Sequence, residues 1–340
     1  MTSVVVVAAA AVGLAGGVLT AQLRADLPES PAAETPDGRP ATKRPGADED
    51  PLYYAAAQIH DGDTTIAYSP AGLVWDLVAV PSGWVVLENA LGGGRRIVRV
   101  QEDGATAVVE SGRIPTIDLS ADGSRVVYPA ADSRKVVIRD VDTGEVEERV
   151  STPETPVAAQ FASGDVIVTT KVRLGRNVSR WQVGAGELTP LWTKSTADVV
   201  AGDGSVMALS THFGARRGCP FGVDLDQSRT KLWTDCDVRV FGDAGSMSPD
   251  GRRLLAVDSR SDGLGPSWVS VLDADTGQET GRIVEDLMTE VGWYGEDRLA
   301  VLVATDLNLR RSRLLACSTS GDCEQVARIP TGYTVLGRLP

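Results

Sequence analysis

Histidine occurs only twice in the 340 residues, as His60 and His212, so metal sites built from several imidazoles are excluded. Basic residues are also short: 33 Lys and Arg face 46 Asp and Glu, a net charge of −13. A polyanion would be repelled over most of such a surface, which excludes a general nucleic-acid binder. No C-x₂-C pair is present to hold zinc, no cysteine stands near the N-terminus to carry a lipid, and no G-x-S-x-G elbow presents a nucleophile. After residue 53 no amphipathic run of helical period interrupts the chain, so α/β architectures fall away. What remains is a chain 42% apolar with 36 Gly and 18 Pro, rich in turns and long enough to bury a large core.

Residues Val4 to Leu23 carry no charge, and Arg24 ends the run. Twenty residues in a helix reach about 30 Å, the thickness of a bilayer core. With no basic residue in Met1-Thr2-Ser3 and a poor cleavage pattern near Ala21, residues 1–24 read as an uncleaved single-pass anchor. A cleaved signal peptide, giving a secreted protein, is the alternative. Residues 25–53 contain Pro28, Pro31, Pro36, Pro40, Pro45 and Pro51 with almost no large apolar side chain, and read as an extended linker. The globular domain is expected over 54–340, on the far side of the membrane from the cytoplasm. The four cysteines agree with an oxidising compartment. Cys219 and Cys236 flank one strand-turn-strand, Cys317 and Cys323 a second and tighter one, so each pair would face itself across a hairpin.

Internal repetition is the strongest signal. Ile117-Asp-Leu-Ser-Ala-Asp-Gly-Ser-Arg-Val-Val-Tyr128 matches Gly245-Ser-Met-Ser-Pro-Asp-Gly-Arg-Arg-Leu-Leu-Ala256, and each is followed by an Asp-Thr-Gly turn, at Asp142 and Asp275. Six units of four strands follow, near 74–111, 112–151, 152–195, 196–238, 239–285 and 286–330. Four strands at this period predict an all-β fold, a β-propeller of antiparallel blades. Two strands remain before the first unit, near Ala55–His60 and Thr64–Ser69, and one after the last, near Tyr333–Leu339. Joined, they would form a seventh blade that closes the ring; a six-bladed ring is the alternative.

These Ser-x-Asp-Gly and Asp-x-x-Thr-Gly turns resemble TolB-type and WD40-like propeller repeats of secreted bacterial proteins, and more narrowly membrane-anchored actinobacterial members of unknown function. The resemblance implies a scaffold that binds partners, and it brings no catalytic residue or cofactor.

Residue by residue, catalysis finds little support. His212 reads as a solvated residue of a long loop, and His60 as a strand end before Asp61-Gly62-Asp63. Asp140 and Asp142 read as turn residues rather than an acid–base or Ca²⁺ pair, since Gly144 stands where a ligand should be. Gly92-Gly93-Gly94 before Arg95-Arg96 lacks the strand-to-helix setting of a phosphate loop. One pattern goes beyond the fold. The expected second-to-third loops hold Arg95, Arg96, Arg134, Lys135, Lys171, Arg173, Arg176, Arg216, Arg217, Arg260, Arg310, Arg311 and Arg313, whereas the opposite turns hold Asp122, Asp142, Asp203, Asp226, Asp250 and Asp275. The reading is therefore a monomeric, non-catalytic binding or scaffolding module whose basic rim meets a protein or an anionic envelope component. The competing class is a propeller hydrolase or lyase using loop carboxylates on an envelope substrate.

Overall fold

The computed structural model describes residues 50–339 apart from 163, 174, 194–195, 202–205, 214–215, 228–229, 241–243, 262–264, 296–297, 307–310 and 330–332. The expected anchor and most of the linker lie outside these residues. The chain forms seven four-stranded antiparallel sheets arranged as the blades of a propeller. Their repeat is written in local chemistry. In blade 2 the turn after the first strand is closed by Gly123 N–H on the Ser120 carbonyl at 2.7 Å, while Ser120 Oγ donates to Asp122 at 2.6 Å and accepts from Arg125 N–H at 3.0 Å. Blade 5 repeats the network with Gly251, Ser248, Asp250 and Arg253 at 2.8, 2.5 and 2.9 Å. Gly123 and Gly251 sit at φ 69° and 67°, a left-handed conformation that strains any side chain.

The third-to-fourth turns are equally matched. Asp140 Oδ1 accepts from the backbone and hydroxyl of Thr143 at 2.7 and 2.9 Å, and Asp273 does the same for Thr276 at 2.8 and 2.7 Å. Between the turns, β-branched and leucine-rich segments alternate into two faces, as half-buried strands require. The innermost strands of blades 1 to 6 are Val74–Val80, Asp118–Leu119, Pro156–Ala162, Thr196–Ala201, Val238–Val240 and Met288–Trp293.

Blade 7 is complete rather than a three-stranded remnant. The C-terminal Val335–Leu336 is its inner strand, and Tyr53–Ala55, Gln58–Asp61 and Thr64–Ala67 follow outward, so the N-terminus supplies three strands where two were expected. The linker expected to reach residue 53 ends earlier, since Leu52 is buried and Tyr53 opens a strand.

The core lies between the blades. Among the described residues seven apolar clusters are each shared by two neighbouring blades, and they close the circle. Trp84 packs with Tyr54 and Ile59 between blades 1 and 7. Trp181 packs with Val127 and Val136 between blades 3 and 2, and Trp293 with Leu255 and Val271 between blades 6 and 5. Tyr294 and Leu302 of blade 6 meet Ala55 and Leu336 of blade 7. Both disulfides form as expected. Cys317 and Cys323 stand opposite each other in the register of blade 6, and Cys219 of blade 4 is bonded to Cys236 just past that blade's outer strand.

Candidate functional site: the basic face

Second-to-third turns and blade-to-blade connections share one face, and backbone hydrogen bonds join the two. Thr152 N–H reaches the Arg134 carbonyl at 2.9 Å, and Lys171 N–H reaches Thr155 at 2.9 Å. The strands run further onto this face than the sequence reading placed them. Arg95 and Arg96 open the third strand of blade 1, Lys135 that of blade 2 and Arg216 with Arg217 that of blade 4. Arg176 and Arg313 also stand in third strands, and Lys171 in a second strand. Tight register explains the shift: Asn89 pairs with Arg95, Lys171 with Arg176 and Phe213 with Arg216, leaving short turns. For the same reason His212 belongs to a strand, Val206–Phe213, and not to a long loop. Arg134, Arg173, Arg260 and Arg311 do lie outside the strands. Arg310 and the side chains of Arg216 and Arg217 lie outside the described residues.

Several of these cations are occupied. Arg96 donates at 2.6 Å to Glu88, a fully buried carboxylate that also accepts from Tyr68 Oη at 2.5 Å and Ala71 N–H at 3.1 Å. Burial and this carboxylate push the Tyr68 hydroxyl far above its ordinary range. Arg313 pairs with Glu285 at 2.6 Å, and Arg260 with Asp258 at 3.1 Å. The second pair is a weak surface contact, since Arg260 is 88% exposed. Arg95 stacks 4.0 Å over the Trp75 ring and donates to the Pro115 carbonyl, and its burial lowers the guanidinium pKa. Trp75 Nε1 in turn donates to Asn89 Oδ1 at 2.6 Å. By contrast Arg134, Lys171, Arg173 and Arg311 are exposed, and none of the four pairs with a carboxylate among the described residues.

The opposite face spends many of its carboxylates on turns. Burial alone would raise Asp122, yet hydrogen bonds from Ser120 and Ser124 bring it below its ordinary value; Asp140 is lowered chiefly by Thr143 N–H. Asp142 pairs with Arg99 of the neighbouring blade at 2.8 Å. On one face several acids build turns; on the other, four exposed cations meet no carboxylate among the described residues.

The structure also assembles a buried ion cluster that residue patterns did not reveal. Arg338 is 1% exposed and donates to Asp76 at 3.1 Å, Asp118 at 2.9 Å and the Ile117 carbonyl at 3.1 Å. Asp118 accepts in addition from Phe161 N–H at 2.9 Å, so the cluster ties the C-terminus to blades 1, 2 and 3. Its one legible signal was the repeat itself, in which Asp118 stands where blade 5 carries Ser246. His60 stacks on Tyr53 at 4.4 Å. Among the described residues no three His, Cys, Asp or Glu side chains group as metal ligands would.

No protein-family model matches the chain, and no curated protein matches it. Solved structures do. A chain of the mitotic checkpoint complex superposes with TM-score 0.57 at 14% identity, covering 94% of this chain and 92% of its own. The β-propeller domain of the trilobed protease from Pyrococcus furiosus gives 0.54 at 12%, covering 75% and 81%. The WD40 domain of Toxoplasma gondii coronin gives 0.51 at 13%, covering 76% and 70%. At such identities the likeness is one of fold, and this chain has the fold of the WD40-type seven-bladed propellers.

Proposed function

We propose that the protein is a non-catalytic binding module, a propeller displayed outside the cytoplasm by its N-terminal anchor, whose basic face takes an anionic protein or envelope component. The observation that carries this is the set of exposed cations on one face that have no carboxylate partner among the described residues, in a protein whose net charge is −13. Random surface arginine would find acids in such a chain, as Arg96, Arg260 and Arg313 do. Two disulfides suit an oxidising compartment, and the apolar run before the Pro-rich linker suits attachment to a membrane. The chain direction supports it further. Tyr53–Ala55 runs toward the Ala56–Ala57 turn on the basic face, so the chain enters the propeller from the opposite face. Attachment through residues 1–49 leaves the basic face open.

The test is binding of the full-length chain to isolated cell envelope over a salt series. Exposed charges are screened over about 8 Å at physiological ionic strength, so binding should weaken steeply as salt rises. Reversing Arg134, Arg173 and Arg311 to Glu should weaken it at least about ten-fold, the loss expected from a few charge-assisted contacts. Reversing Asp226 and Asp275, exposed on the other face, should leave it unchanged. Equal binding by both variants would overturn the assignment.

A further inference from the structure

Among the described residues, the exposed cations without a carboxylate partner gather on blades 2 and 3, with Arg311 of blade 6 apart from them. Arg260 of blade 5 and Arg313 of blade 6 are paired, and so is Arg96 of blade 1. Arg134, Lys171 and Arg173 have no carboxylate partner among the described residues and belong to blades 2 and 3. A further exposed cation joins them, Arg113 in the connection between blades 1 and 2, with no carboxylate partner among the described residues. In the adjoining turn of blade 1, Leu91 is 84% exposed, more than any other large apolar side chain described. It tips a turn closed by Ala90 N–H on Gly94 O at 3.1 Å, and Gly94 lies so close to Gly112 that a Cβ there would stand 2.7 Å from its carbonyl oxygen.

Hydrogen bonds continue this contact from loop to loop. Ala131 N–H binds the Arg113 carbonyl at 3.1 Å, and Thr152 binds the Arg134 carbonyl at 2.9 Å. Thr152 Oγ1 then donates to Glu154 O at 2.7 Å, and Lys171 N–H binds Thr155 at 2.9 Å. Residues 90–94, 112–113, 131–134, 152–155 and 171 thus form one stitched band over three blades. Two acids lie along it: Asp132, exposed, and Glu154, half-buried and accepting from Thr170 at 3.4 Å. A surface already held in place loses little freedom on binding, which favours affinity.

We propose that this band on blades 1 to 3 is the docking surface, and that its occupant is an extended acidic protein segment carrying a large apolar side chain. The proposal rests on the basic face being the binding face and names its partner. Arg113, Arg134, Lys171 and Arg173 meet the acidic groups, and Leu91 meets the apolar one. A phosphate-rich polymer would leave Leu91 in water. A bilayer, being wide and flat, would engage the whole face, Arg311 of blade 6 included. An extended segment advances about 3.3 Å per residue and suits a band of loops in series.

The experiment is fluorescence anisotropy with the full-length chain in non-ionic detergent and two short labelled peptides of alternating Glu and Ser, one with a central Leu. Polyphosphate and phosphatidylglycerol vesicles form the other arms. The Leu-bearing peptide should bind several-fold more tightly than its partner, and Leu91→Ser should erase that difference while leaving the thermal melt unchanged. The combined Arg113→Glu, Arg134→Glu and Arg173→Glu variant should weaken both peptides at least about ten-fold, whereas Arg260→Glu should not. If polyphosphate or vesicles bind and the peptides do not, the occupant is wrong while the basic face stands. If Arg260→Glu weakens binding as much as the triple variant, the band is wrong. If no anionic probe binds, both this proposal and the basic-face reading fall.

Discussion

Arg338 is two residues from the C-terminus and yet 1% exposed, a position that a cation occupies only when its charge is answered. Burial would lower its pKa, but Asp76 and Asp118 outweigh that and raise it well above the ordinary value. The guanidinium spends its donors on two carboxylates and a carbonyl, and its own backbone bridges to Leu77 and Ala79 at 2.9 Å each. Removing Arg338 takes from Asp76 and Asp118 the cation that answers their charge in a largely buried setting. Arg338→Met, which keeps the volume, should therefore cost about 3–5 kcal/mol in urea unfolding. Adding Asp76→Asn and Asp118→Asn should restore a large part of it. A loss below about 1 kcal/mol for Arg338→Met would show that water reaches the two aspartates and that the cluster is not a latch.

At the scale of the element, the blades rest on turns whose geometry is carried by a few neighbouring residues, and on two covalent hairpins. In the chain-entropy description, closing the loop between Cys317 and Cys323 is worth roughly 2 kcal/mol, and between Cys219 and Cys236 roughly 3 kcal/mol. Replacing each pair by Ser should lower stability in that order, measured by thermal melting without reductant. The opposite order would mean that the short bridge acts through packing at the blade 5–6 interface, where Gly281 lies directly beneath Thr319. The turns themselves were fully legible, because Ser120-x-Asp122-Gly123 and Asp140-x-x-Thr143-Gly144 satisfy their own polar groups within six residues.

For the whole molecule, seven shared apolar clusters mean that no blade is stable as an isolated unit: each buries its faces against two neighbours. Closure depends on the two ends of the chain meeting in blade 7, where Tyr53 pairs with Leu336 and Tyr333 Oη donates to the Val74 carbonyl at 2.5 Å. Deleting residues 333–340 should open the ring, expose Tyr54 and Leu302, and replace one cooperative calorimetric transition with a broad one. Deleting residues 1–49 should leave the melting temperature unchanged. A sharp, unshifted transition for the C-terminal deletion would show that the ring holds without its closing strand.

The sequence alone determined the period, the cysteine pairing and the identity of the turn residues; it left seven blades against six to the structure. Each of these is local or periodic, and local hydrogen bonds and alternating burial repeat whatever the rest of the chain does. It also marked one face as basic. Only the tertiary structure decided which of those cations are available. Glu88 neutralises Arg96 because strand register sets them opposite each other, and Glu285 in the blade 5–6 connection reaches Arg313, while Arg113, Arg134 and Arg173 meet no acid among the described residues. The pairing of Arg338 with Asp118 spans 220 positions and has no periodic signature. Charge has no repeat of its own to follow, and its pairing is settled only when the ring closes and brings distant loops within a few ångströms.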